Sequence, residues 1–220
     1  MISIAIDGPA GAGKSTIAKK VAAELSYIYV DTGAMFRAMA LYLLREGVAA
    51  EDSAAISDKC READITIRHE NGAQIVLLNG EDVGGYIRTQ EVGEMASKSS
   101  INPDVRQKLL ELQRKLAAEE NVVMDGRDIG TVVLPDAPVK IYLTASAEVR
   151  ADRRWKELKQ KGQETPYETV LAEIKERDYR DMNREIAPLR PADDAVTVDS
   201  SDMTIPEVVE AIMKIVRDKI

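Results

Sequence analysis

One run of eight residues has the spacing of a phosphate-binding loop. Residues 8–15 read GPAGAGKS, which matches G-x-x-x-x-G-K-S, between an apolar stretch at 2–6 and a helix-forming stretch. Glycines let consecutive backbone N–H groups point at one anion, and the following helix adds the positive end of its dipole. Lys14 is then predicted to reach the β and γ phosphates of a nucleoside triphosphate, and Ser15 to hold Mg²⁺. The alternative is a glycine-rich turn with a surface lysine.

A second group of charged residues follows a later apolar stretch. Asp125 comes directly after Val122 to Met124, where a strand-terminal carboxylate meets the magnesium shell in phosphate-loop proteins. Arg127 and Asp128 follow at the carboxyl end of this predicted strand, where open α/β sheets bind ligands. The alternatives are a capped turn for Asp125 and a structural ion pair for Arg127 with Asp128.

Three further sets of residues are weaker signals. Arg177, Asp181 and Arg184 have i, i+4, i+7 spacing and are predicted to share one helix face, which by itself favours an exposed salt-bridge stripe. Thr32 and Arg37 follow a strand at a predicted helix start, where they face an anion or belong to an ordinary capped turn. The basic run at 150–161 is typical of a mobile flap that closes on polyphosphate, or of a solvated helix.

The composition is typical of one catalytic unit. The 220 residues, 45% of them hydrophobic, can bury one substantial core with a small appended subdomain, and no apolar run approaches the length of a membrane span. A net charge of −8 argues against broad nucleic-acid binding. The single cysteine, Cys60, excludes an intrachain disulfide framework and is interpreted as a buried structural thiol. No secretory signal is visible, so we expect a cytoplasmic protein with neither nucleic-acid nor membrane partners.

Short apolar stretches alternate with helical patterns, which predicts a parallel sheet covered by helices. The predicted strands are Ile2 to Ile6, Tyr27 to Val30, Val122 to Met124, Val139 to Leu143 and Ala195 to Asp199. Helix starts are predicted at Asn102-Pro103, an N-cap with proline at N1, and at two capping-box spacings, Thr165 to Glu168 and Thr204 to Glu207.

The stretch from Ile65 to Gly85 interrupts this alternation. Two β-rich runs around Asn71-Gly72 predict an antiparallel hairpin insert. The insert is either a flap that covers a substrate or a structural decoration, and the residues favour neither. His69, the single histidine, lies at the predicted turn and is interpreted as a solvated residue rather than a catalytic base.

Taken together, these segments resemble the bacterial cytidylate kinases, a family of P-loop nucleoside monophosphate kinases, over nearly the whole chain. The matching motifs are Ile6-Asp-Gly-Pro-Ala-Gly-Ala-Gly-Lys-Ser15, Asp31-Thr-Gly-Ala-Met-Phe-Arg37, Ile87-Arg-Thr-Gln-Glu-Val92, Asp125-Gly-Arg-Asp-Ile-Gly-Thr131 and Ile174-Lys-Glu-Arg-Asp178. Thr32 stands where relatives often have serine, and it keeps the hydroxyl.

The resemblance implies an α/β fold, a five-stranded parallel sheet with helices on both faces. It also implies a monophosphate-binding subdomain with a small antiparallel β insert, and a short lid. The single P-loop kinase domain would span 1–220. Its core would comprise 1–31, 103–150 and 167–220, the monophosphate-binding subdomain 32–102 with the insert at 64–85, and the lid 151–166.

The resemblance also implies site residues. ATP binding falls on Gly8, Pro9, Ala10, Gly11, Ala12, Gly13, Lys14, Ser15 and Thr16. The acceptor phosphate falls on Arg37, Arg127 and Arg184, the cytosine on Ser97, Arg106 and Asp128, and the ribose on Arg177 and Asp181, with Thr32 also binding the acceptor. The residues implied in catalysis are Lys14, Arg127, Arg184 and the lid arginines Arg153 and Arg154, with Mg²⁺ on Ser15 and Asp125. The resemblance thus implies that Arg177, Asp181 and Arg184 bind substrate, whereas their spacing alone favours an exposed salt-bridge stripe.

The implied reaction is transfer of the γ-phosphoryl group of Mg-ATP to CMP or dCMP by a monomer. Another P-loop kinase that uses UMP, AMP or a non-nucleotide acceptor is the nearest alternative. A nucleotide-dependent switch protein is a second alternative. The sequence has no N-K-x-D string of the kind that recognises guanine, which argues against it. A non-catalytic interaction module would leave the arginines at several matched positions unexplained.

Overall fold

The structure is a computed structural model, and it describes residues 1–70 and 72–220. The strands are β1 (Ser3–Asp7), β2 (Ile28–Asp31), β3 (Ile65–Glu70), β4 (Ala73–Leu78), β5 (Glu81–Asp82), β6 (Val122–Gly126), β7 (Val139–Thr144) and β8 (Val196–Asp199). The α-helices are α1 (Lys14–Leu25), α2 (Thr32–Arg45), α3 (Ser53–Cys60), α4 (Gln90–Ser99), α5 (Pro103–Glu119), α6 (Ala147–Gln160), α7 (Tyr167–Asn183) and α8 (Ile205–Lys219). A single turn of π-helix spans Ile129–Val133.

Two compact units divide the chain. The first unit contains residue 1 and residues 26–122, and the second contains residues 2–25 and 123–220. The core, subdomain and lid boundaries given above stay predictions. Among the described helices, none combines the length and the apolar character needed to cross a bilayer.

The described strands include a five-stranded sheet in the order β2-β6-β1-β7-β8. β1 and β7 pair in parallel with Ile4 opposite Val139, and β7 pairs in parallel with β8. Both β1 and β6 are buried along their whole length, as expected when helices cover a parallel sheet. The predicted fold class is confirmed, and each predicted strand lies within two residues of its predicted bounds.

The insert contains the predicted antiparallel hairpin. β3 and β4 pair from Ile65 opposite Leu78 to Glu70 opposite Ala73, and the short β5 pairs with β4. The turn was expected at Asn71-Gly72, and Asn71 lies outside the described residues. His69 lies in β3, and its Nε2 is 3.1 Å from the carbonyl oxygen of Tyr29, so the interpretation as a solvated turn residue is wrong.

Two of the three predicted helix starts are confirmed. Asn102 caps α5, and Thr204 with Glu207 forms the capping box of α8. The predicted capping box at Thr165 is wrong. The N-cap of α7 is Pro166, one residue later than predicted, and no side chain caps this helix. The Thr165 carbonyl oxygen instead accepts a hydrogen bond from Trp155 Nε1 at 3.1 Å, which ties the segment before α7 to α6.

Cys60 ends α3 and is buried with a free thiol, as the sequence predicts. Burial raises the pKa of this thiol. The Sγ atom lies 3.3 Å from the carbonyl oxygen of Ser57, one turn earlier in the helix. The cysteine is therefore a packed core residue of the first unit.

Asn102 is the helix cap whose removal we expect to cost most. Its Oδ1 accepts from the backbone N–H of Asp104 and Val105, and its Nδ2 donates to the Ser53 carbonyl and the Ser57 hydroxyl. Asn102→Ala should lower the free energy of unfolding in urea by about 2–3 kcal/mol, because the buried Asn102 side chain loses its bonds to Ser53 and Ser57 together with the cap.

Thr89→Ala is the matched control, since Thr89 caps α4 through one contact, 3.3 Å from the Val92 nitrogen. Thr89→Ala should lower the free energy of unfolding by about 1 kcal/mol or less. Equal losses of unfolding free energy in the two variants would contradict the stabilising role given to the Asn102 Nδ2 contacts.

Candidate active site

The phosphate loop begins where β1 ends, and its first glycine is fixed by close packing. A Cβ atom at Gly8 would lie 1.9 Å from the carbonyl oxygen of Leu143 in β7, so no side chain fits there. Gly13 has a φ of +90°, which residues with a side chain rarely adopt. α1 starts at Lys14, and Thr16 lies exposed in its first turn. The residues of the predicted ATP loop therefore form a strand–loop–helix unit.

Lys14 is buried at the start of α1. Its Nζ donates a hydrogen bond to the carbonyl oxygen of Pro9 at 2.8 Å, which closes the loop on itself. Burial, followed by the nearby Arg127 guanidinium, lowers the pKa of Lys14 to about 7, although the carboxylates of Asp125 and Asp7 act in the opposite direction. A polyphosphate bound beside this amine would favour its protonated form.

Side chains outside the loop bind two of its carbonyl groups. Arg150, buried in α6, donates to the Ala10 carbonyl oxygen at 3.1 Å and makes a two-pronged ion pair with Asp178 at 3.0 and 2.6 Å. The Ser200 hydroxyl lies 3.5 Å from the Ala12 carbonyl oxygen. These contacts fix the Ala10 and Ala12 carbonyl groups of the loop. Neither Asp178 nor Ser200 has a sequence signal for this role, and Arg150 is marked in the sequence only as part of a basic run.

Ser15 and Asp125 come together as the sequence predicts. The Ser15 hydroxyl donates to Asp125 Oδ2 at 3.0 Å, and Asp125 is buried at the end of β6. Mg²⁺ prefers hard oxygen ligands and commonly uses one or two protein oxygens together with substrate phosphates. A hydroxyl and a carboxylate side by side at the phosphate loop fit that requirement. These two residues would hold the ion.

Two arginines near the end of β6 and after α7 each have a carboxylate partner. Arg127 Nε donates to Asp181 Oδ2 at 2.9 Å, and Nη2 of the Arg184 guanidinium lies 3.5 Å from Asp128 Oδ1. Burial alone would raise the pKa of Asp181, but the Arg127 guanidinium holds it below its usual range. The pairing sets the direction of both guanidiniums, and it brings together four of the predicted substrate-binding residues.

Arg184 does not lie on the helix face that its spacing predicts. α7 ends at Asn183, and Arg184 has an extended backbone with φ −67° and ψ 144°. Its Nε donates to the carbonyl oxygen of Ala187 at 2.6 Å. Helical spacing stops applying once the chain leaves the helix, so Arg177 and Asp181 are on α7 and Arg184 follows it.

Asp7 is a buried carboxylate that the sequence analysis missed. Its two oxygens accept hydrogen bonds from the backbone N–H groups of Ile129 and Gly130, each at 2.7 Å. Burial raises the pKa of Asp7 to about 6, although these two donors act in the opposite direction. Asp7 thereby fixes the start of the π-helical turn that follows Asp128, and such turns often occur at functional sites. Its sequence signals are its place immediately before Gly8 and its inclusion in the first motif that matches the family.

The predicted lid arginines lie on α6. Arg153 donates to the carbonyl oxygen of Ser200 at 2.8 Å. Arg154 makes an exposed pair with Glu157 at 3.0 Å, the kind of surface contact that contributes little to stability. α6 and α7 meet through Trp155 and Tyr167, whose rings contact edge to face at 6.3 Å.

The remaining predicted substrate residues lie in the first unit. Thr32 and Arg37 are on α2, Ser97 on α4 and Arg106 on α5. The Arg106 guanidinium lies 5.6 Å from the centre of the Phe36 ring and donates to the Ser100 carbonyl oxygen at 3.1 Å. The first unit therefore brings Arg106 next to the α2 residue that precedes Arg37.

Comparison with known proteins gives the family of this chain. The sequence model of the family described as cytidylate kinase matches residues 4–218. The chain belongs to the cytidylate kinase family. The cytidylate kinase of Geobacter sp. (strain M21) is 49% identical over 219 residues, which cover 100% of this chain and 94% of that protein. The cytidylate kinase of Caldicellulosiruptor saccharolyticus (strain ATCC 43494 / DSM 8903 / Tp8T 6331) is 51% identical over 214 residues, covering 97% and 95%.

A solved structure supports the fold of this cytidylate kinase family member. The gluconokinase from Sinorhizobium meliloti 1021 aligns over 99% of this chain and 93% of its own, with a TM-score of 0.50 and 18% identity. At that identity the likeness concerns the fold alone. The predicted family resemblance is confirmed by the sequence relatives.

The lowered pKa of Lys14 predicts that Mg-ATP binding takes up a proton. At pH 8 an amine with a pKa of about 7 is mostly neutral, and a bound polyphosphate favours its charged form, so about nine-tenths of a proton should enter per ATP. Titration calorimetry at pH 8, in buffers that differ in ionisation enthalpy, measures this uptake as the slope of the observed heat.

The same titration at pH 6 is the comparison. Lys14 is already mostly charged there and takes up only about a tenth of a proton, so the slope should be well below that at pH 8, although Asp7, whose pKa is about 6, is a second group that titrates near this pH. A buffer-independent heat at pH 8 would contradict the lowered pKa.

Proposed function

We propose that this protein transfers the γ-phosphoryl group of Mg-ATP to CMP or dCMP, which gives ADP and CDP or dCDP. The observation that carries the proposal is one compact unit that holds both a phosphate loop and two carboxylate-held arginines, Arg127 and Arg184. One anion site for the donor and a second for an anionic acceptor are what a kinase acting on a nucleoside monophosphate requires. Membership of the cytidylate kinase family supports this choice.

On the donor side, the loop at 8–13 would bind the β and γ phosphates through backbone N–H groups and the start of α1. Lys14 would move from the Pro9 carbonyl towards the phosphates and neutralise charge that develops on them. Ser15 and Asp125 would hold Mg²⁺, which supplies further neutralisation of the phosphate oxygens when bound.

The acceptor requires alignment rather than activation. The second pKa of a phosphate monoester is about 6, so the attacking oxygen is already ionised near neutral pH and no general base is required. Arg127 and Arg184, together with Arg37, would bind the acceptor phosphate through paired N–H donors and offset its repulsion from the triphosphate. The transition state is loose, so positioning and charge neutralisation supply most of the catalysis.

Cytosine would be recognised by its exocyclic amino group. Asp128, held 3.5 Å from Arg184, can accept a hydrogen bond from that group, whereas uracil has a carbonyl oxygen in the same place. Two acceptors would then face each other with no proton between them, and buried unpaired groups discriminate strongly. Ser97 and Arg106 would donate towards N3 and O2, and Arg177, Asp181 and Thr32 would bind the remainder of the nucleotide.

The lid arginines complete the proposal. Arg154 is exposed and only weakly held by Glu157, so it can turn towards the transferring phosphoryl group at little cost. Arg153 would first have to leave the Ser200 carbonyl oxygen. Closure of the segment at 151–166 over the nucleotides would exclude water and prevent wasteful hydrolysis of ATP.

The proposed setting is the cytoplasm, where ATP and CMP are available, and the proposed working form is a monomer. The partners are these small molecules. A net charge of −8 disfavours long-range attraction to nucleic acids or to anionic membranes, so we propose neither as a partner.

The acceptor specificity is tested by measuring ADP release with Mg-ATP and CMP, dCMP, UMP, AMP or GMP in turn. We expect CMP and dCMP to be used at least about ten-fold more efficiently than the others, because only cytosine offers a donor to Asp128. The best turnover with AMP or UMP would indicate another kinase of the superfamily. ADP release that is independent of any acceptor would contradict the proposed function.

Asp128→Asn tests base recognition. An amide can present either its oxygen or its NH₂ group, so UMP should become acceptable and the ratio of kcat/KM for CMP to that for UMP should fall about ten-fold or more. Asp136→Asn makes the same chemical change at an exposed position of the same segment and should leave the ratio unaltered. An undiminished ratio in Asp128→Asn would remove Asp128 from cytosine recognition.

A further inference from the structure

Two side chains of the antiparallel insert bind the backbone of β2, the edge strand of the parallel sheet. Gln74 Oε1 accepts from the Asp31 backbone nitrogen at 2.7 Å, and Gln74 Nε2 donates to the Asp31 carbonyl oxygen at 3.2 Å. His69 Nε2 lies 3.1 Å from the carbonyl oxygen of Tyr29. Residues two apart in a strand direct their backbone groups to the same side, so both contacts lie on one edge of β2.

The hairpin register explains why these two side chains act together. His69 of β3 lies directly opposite Gln74 of β4, and paired residues project from the same face of the hairpin. That face also carries Ile65, Val76 and Leu78, which are buried. The hairpin therefore packs through an apolar face whose end bears two polar side chains, and these side chains cover a strand edge whose backbone groups need partners.

Asp31 transmits this contact to the start of α2. Its Oδ1 accepts a hydrogen bond from the Ala34 backbone nitrogen at 2.9 Å, and its Oδ2 lies 3.5 Å from the Arg88 guanidinium. Gln74 therefore holds the backbone of the residue whose side chain caps the helix. Thr32 and Arg37 belong to that helix, so their positions depend on where Asp31 is fixed.

We propose that Gln74 is a positioning residue for the acceptor nucleotide, through its two hydrogen bonds to the backbone of Asp31. The insert then serves as a brace for the first turns of α2, which is neither of the two roles that the sequence left open. The proposal rests on the proposed function, because it concerns the acceptor phosphate that Arg37 is proposed to bind.

The amide of Gln74 has the chemistry that this role requires. A backbone N–H and a backbone C=O of the same residue need one acceptor and one donor, and a carboxamide supplies both. Glutamate at position 74 would satisfy the Asp31 N–H and place a second acceptor against the carbonyl oxygen. Leucine would satisfy neither group while filling a similar volume.

The experiment compares Gln74→Leu and Gln74→Glu with wild type, and uses Thr66→Ala, on the exposed face of β3, as the matched control. KM is measured for CMP at saturating Mg-ATP and for Mg-ATP at saturating CMP. We expect KM for CMP to rise about five- to twenty-fold in Gln74→Leu and less in Gln74→Glu, corresponding to one or two lost hydrogen bonds. KM for ATP should stay within about two-fold, and Thr66→Ala should match wild type.

Hydrogen exchange supplies a second readout, since the amide of Asp31 should exchange faster in Gln74→Leu than in wild type or Thr66→Ala. An unchanged KM for CMP in a folded Gln74→Leu protein would overturn the proposal, as would equal rises in both KM values, which indicate general damage. If thermal unfolding shows that Gln74→Leu does not fold, Gln74→Glu decides by the same two criteria. Failure of wild type to phosphorylate CMP would instead contradict the proposed function.

Discussion

Charge that is held away from water is the constraint on which the site depends. A buried cation or carboxylate is tolerated only beside partners that compensate its lost hydration. Lys14 donates to the Pro9 carbonyl, Arg150 pairs with Asp178, and Asp7 accepts two backbone N–H groups. The partners that make burial possible also fix where each charge points, so the same contacts that preserve the fold orient the groups that are proposed to bind phosphate.

The phosphate loop is shaped from several directions at once. The close approach of Leu143 excludes a side chain at Gly8, and the Arg150 side chain holds the Ala10 carbonyl from α6. The carbonyl groups of Pro9 and Ala10 already have side-chain partners, and the backbone N–H groups of the loop are the donors proposed to bind an anion. Asp7 extends this arrangement to Ile129 and Gly130, and thus to the segment that carries Asp128. The phosphate loop and the segment that carries Asp128 are therefore connected at the end of β1.

In the first unit, it is backbone groups rather than buried charges that require partners. The edge of β2 exposes backbone groups that require partners, and the insert supplies them through His69 and Gln74 rather than through another strand. Because Asp31 also caps α2, the stability of the sheet edge and the placement of Arg37 are connected. An insertion into an α/β core can in this way support a neighbouring helix.

The sequence by itself determined the elements whose cause is local. The glycine spacing of the phosphate loop, the alternation of apolar strands with helices, and the caps at Asn102 and Thr204 all depend on residues within a few positions of each other. Only the tertiary structure decided which distant groups pair. Asp7 and Ile129 are 122 positions apart and Arg150 and Asp178 are 28 apart, and no local spacing encodes such contacts. Even Arg184, whose spacing suggested a helix face, takes its direction from Asp128 and Ala187 after the helix has ended, because packing across the chain selects its conformation.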